Sequence, residues 1–113
     1  MSWRRVASVD SVLAGAALPV NVDGKEIAIY KIRDQYFSIE NVCPHAYALL
    51  SDGLMEDDTI ECPLHGAQFQ ISTGKCLSQM LRDLVKYPLK VEGNDILIDW
   101  KDEVPFEGGD AKQ

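Results

Sequence analysis

Two short segments constrain this chain more than any other feature: Cys43-Pro44-His45 and, after sixteen intervening residues, Cys62-Pro63-Leu64-His65. Together they hold both histidines of the chain and two of its three cysteines. Two thiols and two imidazoles form a complete four-ligand set. A chain that uses them at one metal centre must therefore fold so that two loops, around residues 43–48 and 62–67, lie side by side.

Two kinds of centre use such a set. Zinc takes Cys and His tetrahedrally, but structural zinc loops space paired ligands by about two to four residues, and Cys43-Pro44-His45 leaves a single residue between them. In a binuclear iron–sulfur centre with both cysteines on one iron and both histidines on the other, each loop need only bridge the two ends of the cluster. Such a ligand set is known for [2Fe-2S] centres. Zinc remains the alternative at this level of reading.

The two boxes, together with Ser51-Asp52-Gly53 after the first and Gly66-Ala67-Gln68-Phe69 after the second, resemble those of Rieske-type ferredoxins. The similar branch is the one that serves bacterial multicomponent aromatic-ring-hydroxylating dioxygenases, and the likeness runs from about Trp3 to Trp100. It implies an all-β Rieske fold, an antiparallel β-sandwich base with a two-loop cluster-binding lobe. It also implies one Rieske-type [2Fe-2S] cluster held by Cys43, His45, Cys62 and His65, with the imidazole edges of His45 and His65 as the electron exit. The function implied is electron transfer, with one electron accepted from an FAD-containing, NADH-dependent ferredoxin reductase and passed to the terminal oxygenase. Both encounters are transient, and the free protein is expected to be a monomer with no catalytic residues. Ring hydroxylation itself needs a second, mononuclear iron on two further histidines and a carboxylate, and this chain has no histidine to spare. The rival within the family is a small Rieske subunit of an assimilatory nitrite reductase complex.

Neighbouring residues sort the subtype. Rieske subunits of respiratory complexes carry an extra cysteine in each box, joined as a disulfide; Ala48 and Leu64 stand at those positions. The same high-potential proteins place a serine and a tyrosine after the second box, where this chain has Ala67 and Phe69. Without hydroxyl donors to the sulfurs the reduced cluster is harder to stabilise, so the potential is expected toward the lower Rieske limit of about −150 mV. Two departures stand out. Gln79-Met80 occupies a stretch, 77–83, where the family has a proline-containing loop over the cluster, leaving Met80 or Leu81 as its apolar cover, and Ala46-Tyr47 replaces smaller or basic residues.

Composition sets the frame. At 113 residues, 46% hydrophobic and 26% charged, the chain fits one globular domain, expected over 1–103, with a cluster-binding lobe at about 42–82 and a flexible tail at 104–113. A net charge of −7 argues against nucleic acid, whose phosphates would repel it, and suits a basic partner surface. No apolar run reaches the roughly 18 residues that a membrane span needs. Arg4-Arg5 ahead of a mildly apolar run mimics an export signal, but Asp10 interrupts that run, and the expected location is the cytoplasm. Cys76, left over from the boxes, reads as a small buried hydrophobe.

Period-two patterning places the strands. Residues 17–22 and 25–32 flank Asp23-Gly24, a two-residue hairpin turn. Ile27 and Ile29 are expected on one face, with Ala28, Tyr30 and Ile32 on the other, as in a strand covered on both sides. Further strands are expected at 3–9, 36–40, 59–61, 68–71 and 95–99. Residues 84–91 read as a single edge strand containing Pro88. Glu56-Asp57-Asp58 reads as an acidic tip and a secondary docking candidate.

Overall fold

The computed structural model describes residues 3–44, 48–64, 66–78, 82–99 and 104–105. In chain order the strands are β1 (Trp3–Ser8), β2 (Ala17–Val22), β3 (Lys25–Ile32), β4 (Gln35–Glu40), β5 (Leu54–Glu56), β6 (Thr59–Glu61), β7 (Gln68–Gln70), β8 (Val85–Tyr87), β9 (Leu89–Glu92), β10 (Asp95–Asp99) and β11 (Val104–Pro105). The helical elements among the described residues are two 3-10 turns, Val9–Ser11 and Leu50–Asp52. The all-β expectation holds.

The strands form three antiparallel sheets, ordered β1-β10-β9, β11-β8-β4-β3-β2 and β5-β6-β7. The five-stranded sheet is the middle layer. Its turns follow local chemistry: Asp23 and Gly24, at φ 51° and 86°, supply the positive angles that a two-residue hairpin requires, and β2 and β3 pair from Ala17–Tyr30 to Val22–Lys25. The two-sided reading of β3 is borne out. Ile27 and Ile29 pack with Ile96 and Ile98 of the β1-β10-β9 sheet, while Ala28 and Tyr30 pack with Ile60, Phe69 and Ile71 from the β5-β6-β7 side. The first core is the sandwich base; the second joins the base to the lobe that carries the two boxes.

The stretch 84–91 departs from expectation. It is two strands in two sheets, broken at Pro88: β8 lies inside the five-stranded sheet between β11 and β4, and β9 is the edge of the other sheet. Proline lacks the N–H that a ladder needs, so the chain crosses between layers there, and the Pro88 carbonyl accepts from the Asp99 N–H at 3.0 Å. At the far end, Val104 and Pro105 pair with Lys86 and Val85, so the sheet takes up the first two residues of the expected tail.

Candidate metal centre

The first box leaves the end of β4 and the second leaves β6, so each is fed by a strand paired on its far side. Their closures match. Val42 bridges to Leu49 and the Cys43 N–H donates to the Ala48 carbonyl at 2.9 Å. In the second, Glu61 pairs with Gln68 and the Cys62 N–H donates to the Ala67 carbonyl at 2.7 Å. In both, the residue before the cysteine pairs with the residue six beyond it, and the cysteine amide bonds to the fifth. The loops are therefore equal in length although their Cys–His spacings differ by one. Gly66 supplies part of the second closure: at φ 76° it takes the left-handed conformation that glycine adopts without penalty, and its N–H donates to the Cys62 carbonyl.

Cys43 and Cys62 are 2% and 1% exposed, belong to one packed cluster with Leu50, Ala67 and Phe69, and are not in a disulfide. Two buried thiols presented by matched loops are suitable donors for one iron of a binuclear cluster. Thiolate is the ligating form, and burial keeps both sulfurs out of water. His45, His65 and the neighbouring Ala46-Tyr47 lie outside the described residues, as do Met80 and Leu81 of the expected cover. Ala67 and Phe69 are buried in the core beside the cysteines, while Leu64 stands exposed at the tip of the second loop.

Several residues that the sequence reading did not single out hold these loops. Asn41, fully buried, accepts the Ser51 N–H on its Oδ1 at 2.7 Å and donates from its Nδ2 to the Ser51 Oγ at 3.0 Å. Its backbone carbonyl also accepts the Leu50 N–H, so one side chain and its peptide clasp the exit of the first loop two residues before Cys43. Gly53 follows, and a Cβ there would collide with the Glu61 carbonyl next to Cys62. Asp58 braces the β6–β7 hairpin that carries the second box, at the end away from that box, accepting from the Ser72 N–H at 2.8 Å, the Ser72 hydroxyl at 2.6 Å and the Gln70 amide at 3.1 Å. The acidic tip is thus divided: Glu56 and Asp57 are exposed, while Asp58 is turned into a structural bracket. The signal that could have found Asn41 and Asp58 is weak, since both are turn-forming residues beside strands and their partners lie 10 and 14 positions away.

Beyond the second box, the Ser78 Oγ accepts the Gln68 N–H at 2.8 Å and the Asp83 carboxylate accepts the Cys76 N–H at 2.7 Å. Cys76 is partly buried against the same core as Cys43 and Cys62, with its Sγ donating to the Ser78 carbonyl. Arg82 then forms a two-pronged pair with Glu40, Nη1 to Oε1 at 2.8 Å and Nη2 to Oε2 at 2.6 Å. That hydrogen bonding holds the Arg82 pKa above its ordinary value. Nearby, burial and then the Glu40 charge push the Tyr87 hydroxyl up to about 12. Among the described residues, no helix is long and apolar enough to cross a membrane.

Residues 2–88 match the family model described as the Rieske [2Fe-2S] domain. The chain is 37% identical over 100 residues to the ferredoxin component of the naphthalene 1,2-dioxygenase system of Pseudomonas putida, covering 88% of this chain and 96% of that one. Among solved structures it resembles the ferredoxin of carbazole 1,9a-dioxygenase from Nocardioides aromaticivorans IC177, at 32% identity and a TM-score of 0.81, over 87% of this chain and 97% of that one. A chain in a complex of reduced oxygenase and oxidized ferredoxin of carbazole 1,9a-dioxygenase is 31% identical, with a TM-score of 0.79 over 85% and 91%.

Proposed function

The chain belongs to the Rieske [2Fe-2S] family, and on that footing we propose that it is a one-electron carrier, taking electrons from an NADH-dependent, FAD-containing ferredoxin reductase to a terminal aromatic-ring dioxygenase. The observation that carries the reading is the matched closure of the two loops around buried, unbridged Cys43 and Cys62. In this assignment Cys43 and Cys62 would hold one iron and His45 and His65 the other, with the imidazoles as the electron exit. When bound, the [2Fe-2S] cluster accepts and releases one electron at a time. The protein's own part is to keep its thiolates out of water, fix the two loops at equal reach, and leave no hydroxyl at positions 67 and 69, which supports a potential near the low Rieske limit.

The protein is a component of an oxygenase system and not its catalyst. The ferredoxin components are 37% identical to this chain and the nitrite reductase small subunits only 20% and 23%, which favours the free carrier. The net charge of −7 suits brief docking on basic surfaces. Leu64 at the loop tip and Leu54 on β5, 57% and 66% exposed, offer apolar area for a partner to cover. The chain acts as one domain that reaches β11 at Pro105, monomeric between encounters, in the cytoplasm.

The test is direct. The purified protein should contain two irons and two acid-labile sulfides per chain and, once reduced, give a Rieske electron paramagnetic resonance signal that His45→Ala or His65→Ala abolishes. Reduced protein mixed with a dioxygenase terminal component should be reoxidised within single turnovers. Zinc in place of iron would sink the assignment, and stable co-purification with a sirohaem protein would overturn the free-carrier reading.

A further inference from the structure

The Arg82–Glu40 pair lies outside both boxes, yet the chain runs from it directly into the first of them. Glu40 closes β4 three residues before Cys43, and its Oε1 also accepts the Val85 N–H at 3.0 Å, so the carboxylate is fixed by β8 as well as by Arg82. The guanidinium is fixed in turn, with both prongs on Glu40 and Nη1 also donating to the Asp83 carbonyl at 3.0 Å. Such a fork orients a planar cation in a way that a lysine ammonium does not. Leu84, two residues beyond Arg82, is packed in one buried cluster with Cys43, so the segment that carries the guanidinium lies on the side of the first box. The pair is unevenly placed toward solvent: the Glu40 side chain is 18% exposed and that of Arg82 54%, so the interaction is partly screened.

We propose that Arg82, clamped on Glu40, is a positioning residue that sets the reduction potential by keeping a fixed positive charge near the first box. The proposal rests on the cluster assignment above. Reduction adds one electron and makes the centre one unit more negative, so a nearby cation stabilises the reduced form more than the oxidised form, and a nearby anion does the reverse. Arg82 therefore raises the potential and Glu40 opposes it while holding the cation in place. In a protein without hydroxyl donors at 67 and 69, this charge is a compensating means of stabilising the extra electron.

The experiment is voltammetry on the iron-loaded protein, its Arg82→Gln, Arg82→Lys and Glu40→Gln variants and the double Arg82→Gln/Glu40→Gln variant. Arg82→Gln should lower the midpoint, Arg82→Lys should restore most of the loss, Glu40→Gln should raise the midpoint, and the double variant should fall between the two single ones. The Arg82→Gln shift should also shrink when the Debye length falls from about 30 Å at 0.01 M salt to about 3 Å at 1 M. A merely structural latch would move Glu40→Gln and Arg82→Gln in the same direction, or leave Arg82→Lys as low as Arg82→Gln; either result, or an unmoved midpoint, overturns the proposal. Should Arg82→Gln fail to fold, the opposite signs expected of Arg82→Lys and Glu40→Gln relative to wild type carry the test. A wild-type protein without iron, sulfide or the Rieske signal defeats the cluster assignment itself, whereas a normal cluster with an unmoved midpoint defeats only the role of Arg82.

Discussion

Replacing Asn41 by alanine tests whether the loop that presents Cys43 is held by one buried amide. In the wild type the side chain accepts the Ser51 N–H at 2.7 Å and donates to the Ser51 hydroxyl at 3.0 Å, with Asn41 wholly shielded from water. Alanine removes both bonds and strands a partly buried backbone N–H. The orphaned donor costs about 1–3 kcal/mol and the lost side-chain bond about 0.5–1.5 kcal/mol, a total of about 1.5–4.5 kcal/mol. With a urea slope of about 2 kcal/mol per molar, the middle of the range for a small domain, the unfolding midpoint should fall by about 1–2 M. Circular dichroism in the far ultraviolet reports the fold, and in the visible it reports the cluster, so both should be followed in one titration. The visible signal should be lost first or together with the fold, because the clasp acts two residues from Cys43. Asn41→Asp keeps the acceptor but loses the donor and buries a charge, so it should not restore the wild-type midpoint. An Asn41→Ala midpoint equal to that of the wild type would refute the reasoning.

Other outcomes follow from the same geometry. Gly53→Ala must push the Glu61 carbonyl aside, so it should destabilise by about 1–3 kcal/mol and speed cluster loss in a timed bleaching assay. Asp58→Ala should lower the thermal midpoint by several degrees through loss of its three hydrogen bonds, whereas Glu56→Ala, at an exposed position, should leave it almost unchanged. The Tyr87 hydroxyl titrates near 12 in the folded protein against 10.0 in its ordinary state. The folded form therefore keeps its proton longer, and the associated stability is present below pH 10 and lost as the pH rises toward 12. Tyr87→Phe should flatten that alkaline decline in urea titrations taken at several pH values.

Local chemistry made much of the fold legible. Asp23-Gly24 had to turn because two consecutive positive φ angles suit few residue pairs, and the alternation of Ile27 and Ile29 against Ala28 and Tyr30 had to give a strand covered twice, because successive side chains point to opposite faces. Pro88 was legible as a disturbance but not as a crossing. A missing N–H says that a ladder stops, and only the neighbours on either side say which sheets the chain joins. The acidic tip was legible in part: composition cannot distinguish an exposed Asp57 from an Asp58 whose acceptors are used by Ser72 and Gln70.

By itself the sequence singled out the proposed ligand set, since the two cysteine-histidine boxes hold every imidazole in the chain, and it determined the strands and turns whose patterns lie within a few residues of one another. The tertiary structure decided what depends on distant partners. It made loops of unequal Cys–His spacing equal in closure, set Asn41 to clasp the first and Asp58 to brace the hairpin that carries the second, and brought Arg82 onto Glu40 across 42 positions of chain. Backbone pairing and side-chain hydrogen bonds act over a few ångströms in space, and a chain's order along its length does not fix which of its distant residues will come that close.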